Sequence, residues 1–524
     1  MKFSLFAASA CLLSAVQAAT VEFKIVAPGA KSVQVNVNGQ ATALNAPYPN
    51  VPFYNGTVEV GASNSYNYIV DGKQEGFARS LPANILATNN DFYNRPITIA
   101  SVPALPRPLD NGKQWTKADK NPDLFDTNFI PTVFVNGDES QINNLVETVP
   151  KDKVTVELTF IGRDYVQQFR NVSLGISGAG KKHNPAKQSW RWYLSEGDFI
   201  NNRNIFKIRH MEEDPTQMRE KLYADVLRAM GTYANQANMV RFYMNGEGYG
   251  TFNMLEDVDR YSYIRATFYG GNPPAQMGPV YDGGSGASFK YSEDTDGYSS
   301  FEPTKGSPEG YEAIAPLAEA FSKLNLQDNN AIQEFEKMFD VDQFLRFMVM
   351  EYLTGSWDAY WMMQTNDGAY KDYADNNKWY YLGQDYDATF GVNLAEDVMN
   401  LSYKDYIEKN PEAVLINGFL QNNDLRSRFE SYLVDTVKTL FNNNTLGNHI
   451  MTYREFIAPD LEWDRSIKQR SPGMVFNWSY EQTYENLFHG VDSPTDGIGG
   501  AAYGLTEWIA KKAAVVAKEF NFTL

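Results

Sequence analysis

Cysteine is nearly missing from this chain of 524 residues: the one present is Cys11, close to the N-terminus. Without a second thiol no disulfide can form within the chain, and no Cys-based zinc site is expected. With only four histidines, a His-rich metal site is not expected either. A chain of this length can bury a large apolar core without such staples. Positive charge is also scarce, with 46 Lys and Arg against 64 Asp and Glu, a formal net charge of -18. That balance repels phosphate backbones and anionic lipid surfaces, and argues against nucleic acid as a partner. Past the N-terminus no run of about 20 apolar residues occurs, so no membrane-spanning helix is expected.

The chain opens with Lys2, an apolar run from Phe3 to Val16, and the small-residue stretch Val16-Gln17-Ala18-Ala19. This pattern predicts a signal peptide over 1–18, cleaved after Ala18, and hence a secreted, extracellular and possible surface-associated product. Cys11 leaves with it. Asn55, Asn171, Asn400, Asn443, Asn477 and Asn521 each open an N-x-S/T sequon, a candidate glycan site in a secreted chain. Thr506 to Lys512 reads as an amphipathic helix, and the closing Phe520–Leu524 stub shows no lipid-anchor tail. The aromatic content of 14% reads chiefly as a large core.

Residues 19–100 read as a small β-sandwich. Val33, Val35 and Val37 alternate with polar residues, and Asn38-Gly39 and Asp71-Gly72 supply hairpin turns. Residues 101–124, with Pro103, Pro106 and Pro108, read as a linker. From 125 to 524 strands and helices mix, giving an α+β class. Val154–Phe160 alternates as a strand, and Ser189–Leu194 is an aromatic one. Asp214-Pro215 caps a helix carrying Met218, Leu222, Val226 and Met230. Asn245-Gly246 joins a hairpin, and Asp340 caps a helix ending near Gly355.

The chemistry concentrates between Gly355 and Gly391. Asp358 follows a helix. A strand is expected over Tyr360–Thr365, a polar loop over Asn366–Asn377, and a second strand over Lys378–Leu382. Asp385 and Asp387 come next. Phosphoryl transfer needs this set: one carboxylate to orient or deprotonate the attacking hydroxyl, another to hold the magnesium that bridges the phosphates. The glycine-rich stretch Gly175–Lys182, with Lys181 and Lys182, and then Lys187, offers cations for those phosphates. Its spacing is not that of a P-loop. Glu220 and Glu256 are candidate partners for the lysine.

Taken together, these segments resemble the CotH spore-coat family, an atypical protein-kinase-like fold. The resemblance rests on Gly180-Lys181-Lys182 through Trp190, Asp214 through Leu222, the Asn245-Gly246 hairpin leading to Glu256–Asp259, and Trp357-Asp358 through Asp387. It implies a kinase-like CotH domain over 125–524. In it Asp358 would be the catalytic carboxylate and Asp385 or Asp387 the metal ligand. Lys187, with Lys181 and Lys182, would face the nucleotide, and the cofactors would be ATP with Mg or Mn. Two departures weigh against catalysis: Ser177-Gly178 stands where many members have Arg-Gly, and Met363 falls where the kinase pattern has Asn.

The N-terminal β region and Met362–Tyr370 resemble more narrowly the fungal surface invasins of that family, which bind host-cell proteins, among them a surface-displayed chaperone. The resemblance implies an extracellular invasin-type protein that binds such a host receptor. Its partner-binding residues would be Met363, Gln364, Thr365, Asn366, Asp367, Gly368, Ala369, Tyr370 and Lys371, in an exposed loop reaching Asn377. An active secreted kinase is the alternative. A carbohydrate-binding wall protein that uses the β region is a weaker third.

Overall fold

A computed structural model describes residues 20–109, 113–120, 123–178, 185–495 and 499–524. The expected signal peptide, Lys181 and Lys182 lie outside the described residues. The chain divides into two compact units after Thr98.

The first unit is all β. Its strands are β1 (Thr20–Val26), β2 (Val33–Val37), β3 (Gln40–Ala43), β4 (Phe53–Glu59), β5 (Ser65–Val70), β6 (Lys73–Gln74), β7 (Arg79–Ser80) and β8 (Asp91–Phe92). One sheet runs β4-β1-β8 and the other β3-β2-β5-β6, with β7 on β5. Alternation places Val21, Phe23, Ile25, Val33, Val35 and Val37 in one shared core. Asn38 and Gly39 both take positive φ, as a tight β2–β3 hairpin requires. Arg79 is buried here, paired to Glu75 at 2.6 Å and to Asp91 at 3.3 Å.

The second unit opens on β9 (Thr132–Asn136), β10 (Val154–Ile161), β11 (Val166–Ile176), β12 (Trp190–Tyr193), β13 (Ile205–Arg209), β14 (Ala237–Met244) and β15 (Glu247–Leu255). These close into a barrel in the order β10-β11-β12-β13-β15-β14-β9. Phe206 and Ile208 point into its core, so Ile205, Lys207 and Arg209 take the opposite face. Helix α1 (Glu139–Thr148) follows β9. Helix α2 (Arg219–Ala229) lies between β13 and β14 and begins later than an Asp214-Pro215 cap implies: Met218 is its N-cap residue and makes no side-chain cap, while Asp214 accepts from the Met218 and Arg219 amides, both at 2.8 Å.

After the barrel come α3 (Tyr261–Tyr269), β16 (Val280–Gly283), β17 (Phe301–Pro303), α4 (Ala315–Ser322), α5 (Asn329–Met338), α6 (Val341–Thr354), α7 (Tyr360–Met363), β18 (Asp367–Asp372) and β19 (Lys378–Gly383). Asp340 caps α6 through the Gln343 amide, and Gly355 ends it at φ 58. A Cβ there would sit 2.6 Å from the Trp508 ring, so glycine serves both the left-handed turn and the close packing.

Two expectations for this region are corrected. Tyr360–Thr365 is not a strand: Tyr360–Met363 forms a helical turn, because a short apolar run suits either state and the backbone bonds decide. Asn366–Asn377 is not a loop. Strand β18 pairs with β16 on one side and β19 on the other, and the turn shrinks to Tyr373–Asn377. Beyond its pairing on both edges, this strand has both faces covered, since Asp367, Gly368, Ala369 and Tyr370 are all buried.

The proline-rich stretch also differs from a free linker. Val102 and Leu109 are buried in the core of the second unit, and the Pro103 carbonyl lies 2.7 Å from His449 Nδ1. Trp115 packs against Tyr233, Phe268 and Tyr380, and its indole donates to the Thr267 carbonyl at 2.8 Å. Of the sequon asparagines, Asn171, Asn400, Asn443, Asn477 and Asn521 are exposed. Asn55 is half-buried and donates to Glu22.

If residues 99–109 and 113–120 strap the second unit, Trp115→Ala removes aromatic packing and one hydrogen bond. It should cost about 3 kcal/mol in denaturant unfolding. An unchanged midpoint would mean that the stretch is the free spacer its prolines suggest.

Candidate functional site

The outer face of β13 looks onto a polar cleft of about 470 Å³. Ser177 and Gly178 stand at one end of it. Arg191, Lys207 and Arg209 come from the barrel, Asp257 and Asp259 from the segment after β15, and Asn366, Gln384 and Asp385 from the β18–β19 region. The strand alternation aims Lys207 and Arg209 into the cleft. The same alternation is legible in Ile205-Phe206-Lys207-Ile208-Arg209, whereas the glycine-rich stretch points instead to Lys181, Lys182 and Lys187.

Arg209 organises the cleft. Its guanidinium contacts the Asp385 carboxylate, bonds Asp387 Oδ2 at 2.6 Å, and lies 3.6 Å from Glu220 Oε1 on α2. Lys207 Nζ stands 3.9 Å from Asp385. Burial opposes the charge on Arg209, but Asp387 and Glu220 outweigh it and hold its pKa above the ordinary value. Burial, with Arg209 alongside, pulls Lys207 down. Glu213 and Asp358 both rise, first from burial and then from the negative charge of Asp387. Burial also lifts Glu220, against the pull of Arg209. Arg191 clamps Asp257 at 2.7 Å, and Arg260 reaches Asp259 at 3.1 Å. Burial and then Asp257 push Asp259 upward.

The predicted aspartates therefore come together. Asp385 and Asp387 share Arg209, and Asp358 feels Asp387. Asp385 takes a left-handed φ of 61, which turns its carboxylate out of the β19 ladder toward the cleft. Asn366 donates to the Asp358 carbonyl at 2.9 Å, tying the two segments together. Among the described residues no three His, Cys, Asp or Glu side chains are grouped to hold a metal. Asp385 Oδ1 and Glu220 Oε1 both face the Arg209 guanidinium. Hard carboxylate oxygens suit Mg or Mn, and magnesium takes only one or two of them when phosphates supply further ligands.

Lys187 does not reach the cleft. Its ammonium is buried against Asp464 Oδ1 at 2.5 Å and the Thr251 carbonyl at 2.7 Å. Asp464 also accepts from the Thr251 amide and Gln217, so every group around this lysine is already used. A Cβ at Gly250 would lie 2.1 Å from Asp464 Oδ1, and only glycine lets the carboxylate approach the strand this closely. Lys187 is thus held by a buried structural pair, and Lys207 is the lysine that the cleft presents. Of the acids weighed as lysine partners, Glu220 stands at the cleft, while Glu256 pairs with Arg203 at 2.8 Å.

The expected partner-binding segment divides. Met363 is 51% exposed, Gln364, Thr365, Asn366 and Lys371 are half-buried, and Asp367–Tyr370 are buried. Both Asp367 carboxylate oxygens lack a hydrogen-bond partner, and burial followed by Glu351 raises its pKa well above the usual range. Glu351 stands behind this segment. It accepts from the Trp361 amide at 2.7 Å and the Tyr381 hydroxyl at 3.0 Å, and so fixes the turn that follows Asp358.

Asp464→Ala would leave the Lys187 charge buried without its partner, at a cost of about 3–5 kcal/mol of stability. Urea titration measures this, and a loss under 1 kcal/mol would sink the structural assignment. Glu351 carries a pH signature. Burial lifts its pKa from 4.5 to about 8, against the two donors that lower it. Between those values the folded state holds a proton that the unfolded state has released, so stability falls as pH rises from about 5 to 8. Glu351→Gln should flatten that slope in thermal melts, whereas an unaltered slope would show that Glu351 does not set it.

Residues 174–492 match the family described as CotH kinase protein. Invasin CotH2 of Rhizopus delemar is 56% identical over 532 residues, spanning 100% of this chain and 88% of its own length. Invasin CotH3 of the same fungus is 54% identical over 531 residues, with the same coverage. Inner spore coat protein H of Bacillus subtilis is 26% identical over 261 residues, 48% of this chain and 67% of that protein. The matched span runs from the end of β11 past β19, and so includes β12, β13, Asp257, Asp259, Asp358, Asp385 and Asp387: the chain belongs to the CotH family.

Proposed function

We propose that this protein is an extracellular invasin-type member of its family that attaches to host cells through a protein on their surface. The observation that carries this reading is the 56% identity, along the whole chain, with a protein named an invasin. The expected signal peptide and the five exposed sequon asparagines support a secreted glycoprotein. No helix among the described residues is long and apolar enough to cross a membrane. A chaperone-type receptor remains the partner that the family resemblance implies. In the segment first expected to bind it, the edge open to a partner is Met363 and the Tyr373–Asn377 turn.

The cleft favours a second reading, a secreted protein kinase using ATP with Mg or Mn. Asp385 and Asp387 would hold the metal, which when bound neutralises phosphate charge. Lys207 would face the phosphates, and Glu220 and Arg209 would position the strand that carries it. Asp358 would orient the acceptor hydroxyl and take its proton. Burial leaves it a carboxylate more ready to accept one than an exposed aspartate. In the structure Arg209 stands between the two metal-ligand carboxylates, so metal entry requires its guanidinium to yield one of them.

Beads coated with the mature chain should attach to cultured mammalian cells saturably and be displaced by soluble protein. Attachment no greater than that of albumin-coated beads would refute the adhesive reading. For the kinase reading, calorimetry should detect ATP binding that depends on Mg or Mn. Asp358→Ala should then lower phosphate transfer by at least about 100-fold while leaving nucleotide binding in place. A wild-type chain that binds no nucleotide would leave the cleft a scaffold.

A further inference from the structure

A second cavity, of about 480 Å³, lies farther along the face of β12 and β13 that borders the cleft. Strand alternation relates the two: Arg191 and Tyr193 share a face of β12, as Lys207 and Ile205 do on β13. Lys153, Arg260, Arg265 and Lys305 line it, with Tyr193 and Phe199, and none of its lining residues is acidic. Arg260, which also borders the cleft, is the cation with partners, Asp259 at 3.1 Å and Thr304 at 3.0 Å. Lys153, Arg265 and Lys305 make no ion pair with any described residue, and Arg265 Nε is buried with no hydrogen-bond partner.

In a chain of net charge -18, four cations around one cavity with no carboxylate in its lining demand a reason. Packing alone does not supply it, because a buried donor left unsatisfied costs stability. Two of the cations are held in place by rings. Lys153 Nζ lies 3.6 Å from the Tyr193 ring centre, and the Arg265 guanidinium lies 4.4 Å from that of Phe199. Those contacts fix the cations without neutralising them. The first turn of α3 adds its positive end, since Arg260 at the N-cap makes no side-chain cap and Tyr261 and Ser262 line the cavity. Arg260 apart, the fixed charges of the cavity have no carboxylate partner among the described residues and call for an anion.

The rings also speak to what carries that anion. Each has a face covered by its own cation, which disfavours stacking of a nucleobase. Asn204, beside them, presents a side-chain amide that can both donate to and accept from a hydroxyl. We propose that this cavity binds an acidic saccharide. Its sulfate or carboxylate groups are held by Arg265, Lys153 and Lys305, and a ring hydroxyl by Asn204. The assignment rests on the lining alone and needs neither reading of the cleft.

Calorimetry on the full mature chain at low salt tests it with four probes: a heparin-derived tetrasaccharide, a hyaluronan tetrasaccharide, inorganic sulfate and ATP. One or both saccharides should bind, and added salt should weaken the binding. Arg265→Gln and Lys305→Gln should each weaken it about tenfold, the effect of one charge-assisted contact. Lys305 is exposed, so its variant should melt as wild type and keeps the test valid if Arg265→Gln destabilises the fold. Binding preferring the sulfated probe assigns the site to sulfate, and equal binding to carboxylate. The proposal is overturned by no saccharide binding, by binding that both variants leave unchanged, or by free sulfate binding as tightly as the saccharides. ATP binding that Lys305→Gln weakens would likewise overturn it, by giving the cavity to nucleotides.

Discussion

One guanidinium sets the terms for the cleft. Asp385, Asp387 and Glu220 converge on Arg209, and Asp358 and Glu213 sit within the field of Asp387. Without a cation at that point the carboxylates would repel one another and take up protons. Arg209 belongs to a barrel strand, Glu220 to the helix behind it, and the two aspartates to the chain leaving β19. A single side chain thus ties three elements of the second unit by charge, and the alternation that sends Phe206 and Ile208 into the barrel core points it the right way.

That dependence explains which parts of the site were legible in the sequence. Asp358, Asp385 and Asp387 could be read because helix end, strand and turn signals bracket them. Lys187 misled because a lysine after a glycine-rich stretch looks like a phosphate ligand. Its burial depends on Asp464, far along the chain in the Asn448–Ser466 helix, and no local pattern announces such a partner. Lys207 and Arg209 were within reach of the period-two rule, since apolar Phe206 and Ile208 mark the buried face of the same strand.

The fold divides in the same way. Local chemistry was enough for the Asn38-Gly39 hairpin, the Asp340 cap and the Gly355 stop, because each depends on its own few residues. It failed at Asn366-Asp367-Gly368, whose composition reads as a turn. Tertiary pairing with β16 and β19 overrides that preference and buries Asp367 with neither oxygen satisfied. The proline-rich stretch failed similarly: prolines report an extended backbone, and the Trp115 cluster decides that this backbone is packed.

The two departures from the kinase pattern carry unequal weight once the geometry is known. Met363 falls where that pattern has a carboxamide, yet it is half exposed and away from the cleft lining. Asn366, three residues on, lines the cleft and donates to the Asp358 backbone, so a carboxamide stands beside the aspartate from a different position. Ser177 lies just past the end of β11, and the cleft is not short of positive charge, since Arg191, Lys207, Arg209 and Arg260 all line it. What distinguishes this cleft is that most of those cations are already engaged: Arg191 with Asp257, Arg209 with Asp385 and Asp387, and Arg260 with Asp259. Lys207, 3.9 Å from Asp385, is the most loosely held of them, and a phosphate entering the cleft would meet it at the lowest cost in broken pairs.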